Sequence, residues 1–187
     1  MPPALKYISY VGLLFLLVGC TKSFDYEEEV ALSTGNTLVV KRSIKSERFG
    51  ELGAGGGKLL EQHISFMLNG KQIEWRDDIP PVAINLSGNT LFAAAMPHTV
   101  SACIQHGSPS PPFVFYQYRE EAWIKIAKEQ FPDAIGVNLV YFGYGRPIES
   151  GERLTQKRKQ EISEGLKLDK KIQTRYLLKQ SPDRCQG

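Results

Sequence analysis

Two histidines and a cysteine close together in sequence carry the most reactive side chains of this chain. His98, Cys103 and His106 fall within nine positions. Imidazole and thiolate bind zinc or copper, and a Cys–His pair supplies a nucleophile with its base. The spacing matches no zinc finger, and a strand over residues 99–105 would place the histidines at its two ends. The trio therefore indicates either a reactive centre, hydrolytic or metal-dependent, or loop histidines beside a structural cysteine.

Two pairs of adjacent acids are a second candidate for proton chemistry. Asp77-Asp78 and Glu120-Glu121 each place two carboxyl groups next to one another. Neighbouring side chains on a strand point to opposite faces, so we expect solvated turn residues and no shared proton. The chain has no Gly-x-Ser-x-Gly, Ser-x-x-Lys or His-Glu-x-x-His motif, so the hydrolases that use these motifs gain no support. We expect no cofactor and no resident metal, and a non-enzyme is favoured over an enzyme.

Composition is that of an ordinary folded domain. The 187 residues are 42% hydrophobic and 23% charged, which suffices for one core. Lys and Arg number 23 against 20 Asp and Glu, a net charge of +3. That excess is too small to drive binding to phosphate backbones, so a nucleic-acid partner is not expected.

Segments rich in β-formers, separated by turn residues about every ten positions, dominate the middle of the chain. The firmest hairpin has Asn69-Gly70 at its turn, because this pair accepts two positive φ angles. Strands are predicted at Glu28–Leu32, Thr37–Ile44, Lys58–Leu68, 71–75, Val82–Leu86, Thr90–Met96, Thr99–Gln105, 113–118 and 123–126. This pattern predicts a mainly β domain over residues 28–150: an antiparallel sandwich, a barrel or a stack of β-meanders.

The C-terminal segment, residues 151–187, has a different character. It holds ten Lys or Arg and five Asp or Glu, whereas residues 20–150 hold twelve and fifteen. Good helix formers dominate between Arg153 and Leu178, which predicts a short helical segment. This basic tail is either a solvated helix face or a contact for anionic lipid, lipopolysaccharide or peptidoglycan.

The N-terminus has the profile of an export signal. Lys6 precedes an apolar run from Tyr7 to Val18, which is too short to span a bilayer. The run ends in Leu17-Val18-Gly19-Cys20, which resembles the lipobox of bacterial lipoproteins. The resemblance implies that residues 1–19 are a signal peptide that is removed, and that Cys20 becomes the first residue of the mature chain.

This resemblance also implies a lipid anchor and a location in the cell. Cys20 would carry a thioether-linked diacylglycerol and, in many such bacteria, a further acyl chain such as palmitate on its amine. Two or three acyl chains hold a protein stably on a membrane. Thr21 after the cysteine, in place of Asp, implies the outer membrane, with the domain facing the periplasm and residues 20–27 as anchor and tether. Pro111–Tyr116, followed by Trp123 and Ile126, is similar to uncharacterised exported bacterial proteins and implies no function.

If Cys20 is lipidated, Cys103 and Cys185 are the remaining cysteines. In the oxidising envelope they are expected to form a disulfide, although two unpaired thiols remain the alternative. We therefore expect a membrane-anchored envelope lipoprotein that acts as a binding or assembly module. The alternative is an envelope hydrolase or metal-dependent enzyme centred on His98, Cys103 and His106.

Overall fold

A computed structural model of the protein describes the chain from Lys22 onwards, with several gaps. The described residues are 22–46, 59–97, 99–140, 148, 150–165 and 185. The predicted signal peptide, Cys20, His98 and residues 166–184 of the basic tail lie outside them.

Nine described strands form two sheets, which confirms the predicted mainly β fold. The first sheet, sheet A, has the order β4-β3-β2-β1-β9 and is antiparallel except for β9, which runs parallel to β1. The second, sheet B, is antiparallel with the order β5-β6-β7-β8. Each described sheet keeps two edge strands, so neither closes into a barrel. The strands are β1 Lys22–Ala31, β2 Thr37–Ser46, β3 Leu59–Leu68, β4 Lys71–Asp77, β5 Pro81–Ser87, β6 Thr90–Ala95, β7 Val114–Arg119, β8 Ala122–Ile126 and β9 Arg153–Leu154.

The hairpins predicted from turn residues are confirmed. Asn69 and Gly70 join β3 to β4 with φ angles of 51° and 76°, the two positive values that a type I′ turn requires. Glu120 and Glu121 join β7 to β8 with φ angles of 51° and 61°. The second turn has the same geometry without glycine, so strand pairing imposes it on residues that do not favour it.

Two predicted boundaries are wrong. Thr99–Gln105 is not a strand: helix α1 spans Val100–Gln105, and the Thr99 hydroxyl caps it by accepting from the Ala102 N–H at 3.0 Å. The six-residue segment Val-Ser-Ala-Cys-Ile-Gln is short enough to fit a strand or a helical period, and the N-cap at Thr99 favours the helix. The tether predicted up to residue 27 is also shorter, because β1 begins at Lys22 and buries Phe24 and Tyr26 on its inner face.

The main core lies between the two sheets. Buried side chains of both sheets meet there, among them Val40, Ile64 and Trp75 of sheet A and Ile84 and Leu91 of sheet B. A second cluster of aromatic and aliphatic side chains covers the other face of sheet B, where segment 131–135 packs. The predicted C-terminal helix is present as α2, Gln156–Gly165, whose Ile162 packs against a third cluster on sheet A. Two packed sheets with covering segments therefore make one domain.

The sandwich has two unlike ends. At one end, the turn end, lie the four short hairpin turns of the described residues, at residues 32–36, 69–70, 88–89 and 120–121. Lys71 meets Glu121 there at 3.2 Å across the two sheets. At the other end, the crossover end, β4 passes to β5, and the segment carrying α1 joins β6 to β7. Strand β1 also begins at the crossover end, because Lys22 pairs with Ser46.

Candidate functional site

The densest group of chemically capable side chains lies at the crossover end. Asp77 is the last residue of β4, and Asp78 is the first residue of the link to β5. His106 caps the C-terminal end of α1. One ligand atom each from Asp77, Asp78 and His106 falls within 4.8 Å of the others. The β4–β5 crossover and the capped helix thus bring together residues from distant parts of the chain.

Hydrogen bonds connect these side chains in a row from sheet B to α1. The Tyr116 hydroxyl of β7 donates to Oδ2 of Asp77. The Asp78 backbone N–H donates to Oδ1 of Asp77 at 2.8 Å. His106 Nε2 lies 3.1 Å from Oδ1 of Asp78, where it donates to the carboxylate. The Tyr116 ring is held edge-on against Trp75 at 6.0 Å between centroids, which fixes the first member of the row.

The two carboxyl groups differ in acidity because their surroundings differ. Burial, together with a hydrogen bond to Asp78, raises the pKa of Asp77 above its ordinary value. Hydrogen bonds from Asp77 and His106 lower the pKa of Asp78 despite some burial. Burial and the adjacent Asp77 raise the pKa of the Tyr116 hydroxyl. The two neighbouring carboxyl groups therefore have pKa values shifted in opposite directions.

The expectation that Asp77 and Asp78 act separately as solvated turn residues is wrong for this pair. Strand alternation separates neighbours only while both remain in the strand, and Asp78 has already left it. Its side chain is 53% exposed, yet it turns back to bond Asp77 and His106. The sequence shows only that the two acids are adjacent. Their contact with each other and with His106 depends on the bend after β4, which the sequence does not reveal.

His106 supplies a buried imidazole to this group. Its side chain is only 9% exposed, and within the described residues its Nδ1 atom has no hydrogen-bond partner. One imidazole and two carboxylates form a donor set for a divalent metal ion such as zinc. The same groups also provide a proton donor and an acceptor, so the cluster is equipped for cation binding or for proton transfer.

Cys103 does not join this group through a thiolate. Its sulfur lies 2.07 Å from that of Cys185, and the two Cα atoms are 5.5 Å apart. The structure thus contains a cysteine pair at disulfide distance, with Cys103 only 5% exposed. Of the predicted trio, Cys103 pairs with Cys185 and His106 contacts Asp78. His98 lies outside the described residues.

A second polar group, centred on the fully buried Glu28 and Arg42, lies between sheet A, segment 138–140 and α2. Glu28 Oε2 accepts from Arg42 at 2.7 Å, and its Oε1 accepts from the Val140 N–H at 2.7 Å. Arg42 also donates to the Val140 carbonyl at 2.8 Å. Lys159 of α2 lies 2.9 Å from Glu28 and donates to the Asn138 carbonyl at 2.7 Å. Because these partners come from sheet A, segment 138–140 and α2, the network ties these parts of the fold together.

The network also shifts the acidity of its members. Burial lowers the pKa of Lys159, although Glu28 partly offsets this effect. Burial by itself would lower the pKa of Arg42, but the interactions with Tyr26 and Glu28 outweigh burial and raise that pKa. Burial raises the pKa of Tyr26, which lies beneath the Arg42 guanidinium at 5.4 Å from ring centroid to Cζ. Arg42 and Lys159 thus share Glu28 in one ion network, and the Tyr26 ring lies against the Arg42 guanidinium.

A cleft of about 470 Å³ on the outer face of sheet A is a third polar surface. Acidic, basic and hydroxyl side chains line it, and His63 lies 3.5 Å from Glu74 at its border. Its lining includes Asp25, Glu27, Lys41, Ser43, His63 and Ser65. The charges of both signs are interspersed, so the cleft favours no one class of ligand.

Comparison with protein-family models, with curated proteins and with solved structures finds no match for this chain. Among the described residues, no helix has the length and apolar character needed to cross a membrane. The lipobox-like sequence and the geometry of the crossover end are therefore the features from which a function is inferred.

Proposed function

We propose that this protein is a bacterial envelope lipoprotein, anchored by acyl chains on Cys20, that acts as a binding or assembly module. The observation that carries the proposal is Leu17-Val18-Gly19-Cys20 at the end of an apolar run with one preceding lysine. Motif, position and charge agree with a lipoprotein signal peptide. Thr21 after the cysteine favours the outer membrane, with the domain in the periplasm.

Two features of the folded domain support this proposal. The Cys103–Cys185 pair lies at disulfide distance, which suits an oxidising compartment such as the periplasm. Strand β1 begins at Lys22, so only Thr21 separates the proposed anchor from the domain. A domain held this close to the bilayer is well placed to present a surface to other envelope components.

A binding role is favoured over catalysis by what the reactive side chains already contact. The Cys103 sulfur is paired with that of Cys185, so it offers no thiolate nucleophile. Partners of such a module include another envelope protein, lipopolysaccharide or peptidoglycan, reached through the basic tail. Within the described part of that tail, Lys159 is bound inside the fold and Arg158 lies 3.6 Å from Glu152. External contacts by the tail therefore depend on its other cationic residues.

The experiment that tests the proposal is the intact mass of the protein extracted from bacterial membranes, with and without reduction and alkylation. We expect a chain that starts at Cys20 with diacylglyceryl mass, and two thiols that alkylate only after reduction. Cys20→Ala is the control and should leave the chain unlipidated and detached from membranes. An unlipidated wild-type chain would contradict the proposal.

A second candidate function is binding of a divalent cation by Asp77, Asp78 and His106. The specific observation in its favour is the convergence of three ligand atoms within 4.8 Å, with the imidazole buried. In this candidate site His106 is kept from the predicted set of His98, Cys103 and His106, and Asp77 and Asp78 take the place of the other two residues. Calorimetric titration with Zn²⁺ should show saturable binding to the wild type and at least tenfold weaker binding to the His106→Gln variant. Equal affinities in the two proteins would exclude this site.

A further inference from the structure

Helix α1 exposes an apolar face. Val100 is 76% exposed and Ile104 is 68% exposed. Four positions apart, they lie on the same side of the helix, whereas Ala102 and Cys103 are buried against the domain. With Met67, they are the large hydrophobic side chains that the described residues leave exposed. The short helix therefore packs one face on the core and presents a second apolar face outward.

This face lies at the end of the sandwich where the chain enters. Across sheet A, Phe24 pairs with Ile44, Ile44 with Gln62, and Gln62 with Asp77. The end of β4 is thus level with the start of β1. Helix α1 is attached at the same level, because its cap residue His106 lies 3.1 Å from Asp78, the residue after β4. The exposed face of α1 and Lys22 are therefore both at the crossover end.

The short segment between Cys20 and Lys22 limits how far the crossover end can lie from the bilayer if Cys20 is lipidated. Only Thr21 separates Cys20 from Lys22, and two residues span at most about 7 Å when extended. Acyl chains on Cys20 insert into the bilayer, so they would hold the crossover end at its surface. The strands of sheet A carry the turn end about 30 Å away, as expected for ten residues.

We infer that the crossover end faces the bilayer and that Val100 and Ile104 of α1 contact its lipids, which sets the orientation of the domain. The inference rests on the proposed lipidation of Cys20. Once the anchor confines the domain, contact by α1 is effectively intramolecular, so a small apolar face suffices to select one orientation. The turn end, with its four hairpin turns, then points away from the membrane towards partners.

Photocrosslinking of the full lipidated protein tests this orientation. Benzoylphenylalanine is incorporated at position 104 or, as a matched control, at Met67, which is 57% exposed near the turn end. Each protein is reconstituted in vesicles of phosphatidylethanolamine and phosphatidylglycerol, irradiated and analysed by mass. We expect at least tenfold more lipid adduct from position 104 than from position 67. Far-ultraviolet circular dichroism checks that both proteins are folded.

The outcomes separate the inference from the proposed function. Equal lipid adduct yields from the two positions, or adducts to protein instead of lipid at position 104, would overturn the orientation even though the protein is anchored. Intact mass is measured on the same samples. A chain without diacylglyceryl that does not float with the vesicles would refute the lipid anchor, and the orientation with it.

Discussion

Arg42 donates a 2.7 Å hydrogen bond to the carboxylate of Glu28, and both side chains are completely buried. The pair connects neighbouring strands β1 and β2, and its two members hold the N–H and the carbonyl of Val140. Lys159 of α2 joins the network through an ion pair with Glu28 at 2.9 Å. Sheet A, segment 138–140 and α2 are therefore fastened by one set of charge-assisted hydrogen bonds.

Replacing one member of this buried pair should be severely destabilising. Arg42→Met leaves the Glu28 carboxylate without its main partner, and a broken buried pair costs about 3–5 kcal/mol. Lys71→Met is the matched control, because the Lys71–Glu121 pair is exposed and contributes well below about 1 kcal/mol. Urea unfolding of the three proteins measures the difference, and Glu28→Gln serves if Arg42→Met does not fold. Similar losses for the buried and exposed pairs would contradict this account.

The coupled acids at the crossover end should give stability a defined pH dependence. The pKa of Asp77 is raised in the folded state, chiefly by burial. Its folded form binds the proton more tightly than the unfolded form, so its contribution to the free energy of unfolding is full at low pH. That contribution is lost as the pH rises from the unfolded pKa, about 3.9, through the folded pKa. Asp77→Asn should remove this decline, which we expect to be under about 1 kcal/mol because the group is half-buried.

Asp78 should show the opposite sign. Its folded pKa is lowered, chiefly by the hydrogen bond with Asp77. Its contribution is present above the unfolded pKa and is lost as the pH falls through the folded pKa. Asp78→Asn should therefore reduce stability at neutral pH and leave it little changed in strong acid. Urea unfolding at several pH values between about 3 and 7 compares both variants. Parallel profiles for Asp77→Asn and Asp78→Asn would refute the distinct roles of the two acids.

Reduction of the Cys103–Cys185 pair should weaken the fold. The two cysteines are separated by 82 positions, and closing a loop of this size restricts the unfolded chain by about 4 kcal/mol. We expect the Cys103→Ser, Cys185→Ser double variant to lose up to this amount in urea unfolding. Adding reductant should lower the stability of the wild type and leave that of the variant unchanged. A reductant effect of equal size in both proteins would show that the pair is not the cause.

The Glu120-Glu121 turn offers a stabilising substitution. Both residues have positive φ angles, which cost free energy for side chains other than Gly, Asn and Asp. Glu120→Asn with Glu121→Gly matches the type I′ preference and should raise stability by about 1 kcal/mol. The gain outweighs loss of the exposed Lys71–Glu121 ion pair. Thermal unfolding measures it, and a lower Tm would argue against the turn geometry.

Local sequence determined the strands and most of their turns. Alternating apolar residues define one face of a strand, and Asn69-Gly70 accepts the positive φ angles of a tight turn whatever the rest of the chain does. The lipobox resemblance at Cys20 is local as well, because it depends on a few adjacent residues. The pairing of Cys103 with Cys185 also follows from local sequence if Cys20 is lipidated, because only these two of the three cysteines then remain.

The conformation of ambiguous segments and the contacts between distant residues depend on the tertiary structure. Thr99–Gln105 is compatible with strand or helix, and its position in the β6–β7 connection, with Thr99 as N-cap, makes it α1. Asp78 and His106 are 28 positions apart and meet only because β4 crosses to sheet B beside that helix. The burial of Glu28 with Arg42 likewise depends on α2 covering sheet A. Contacts between distant residues follow from how sheets and helices pack, and packing is a property of the whole chain.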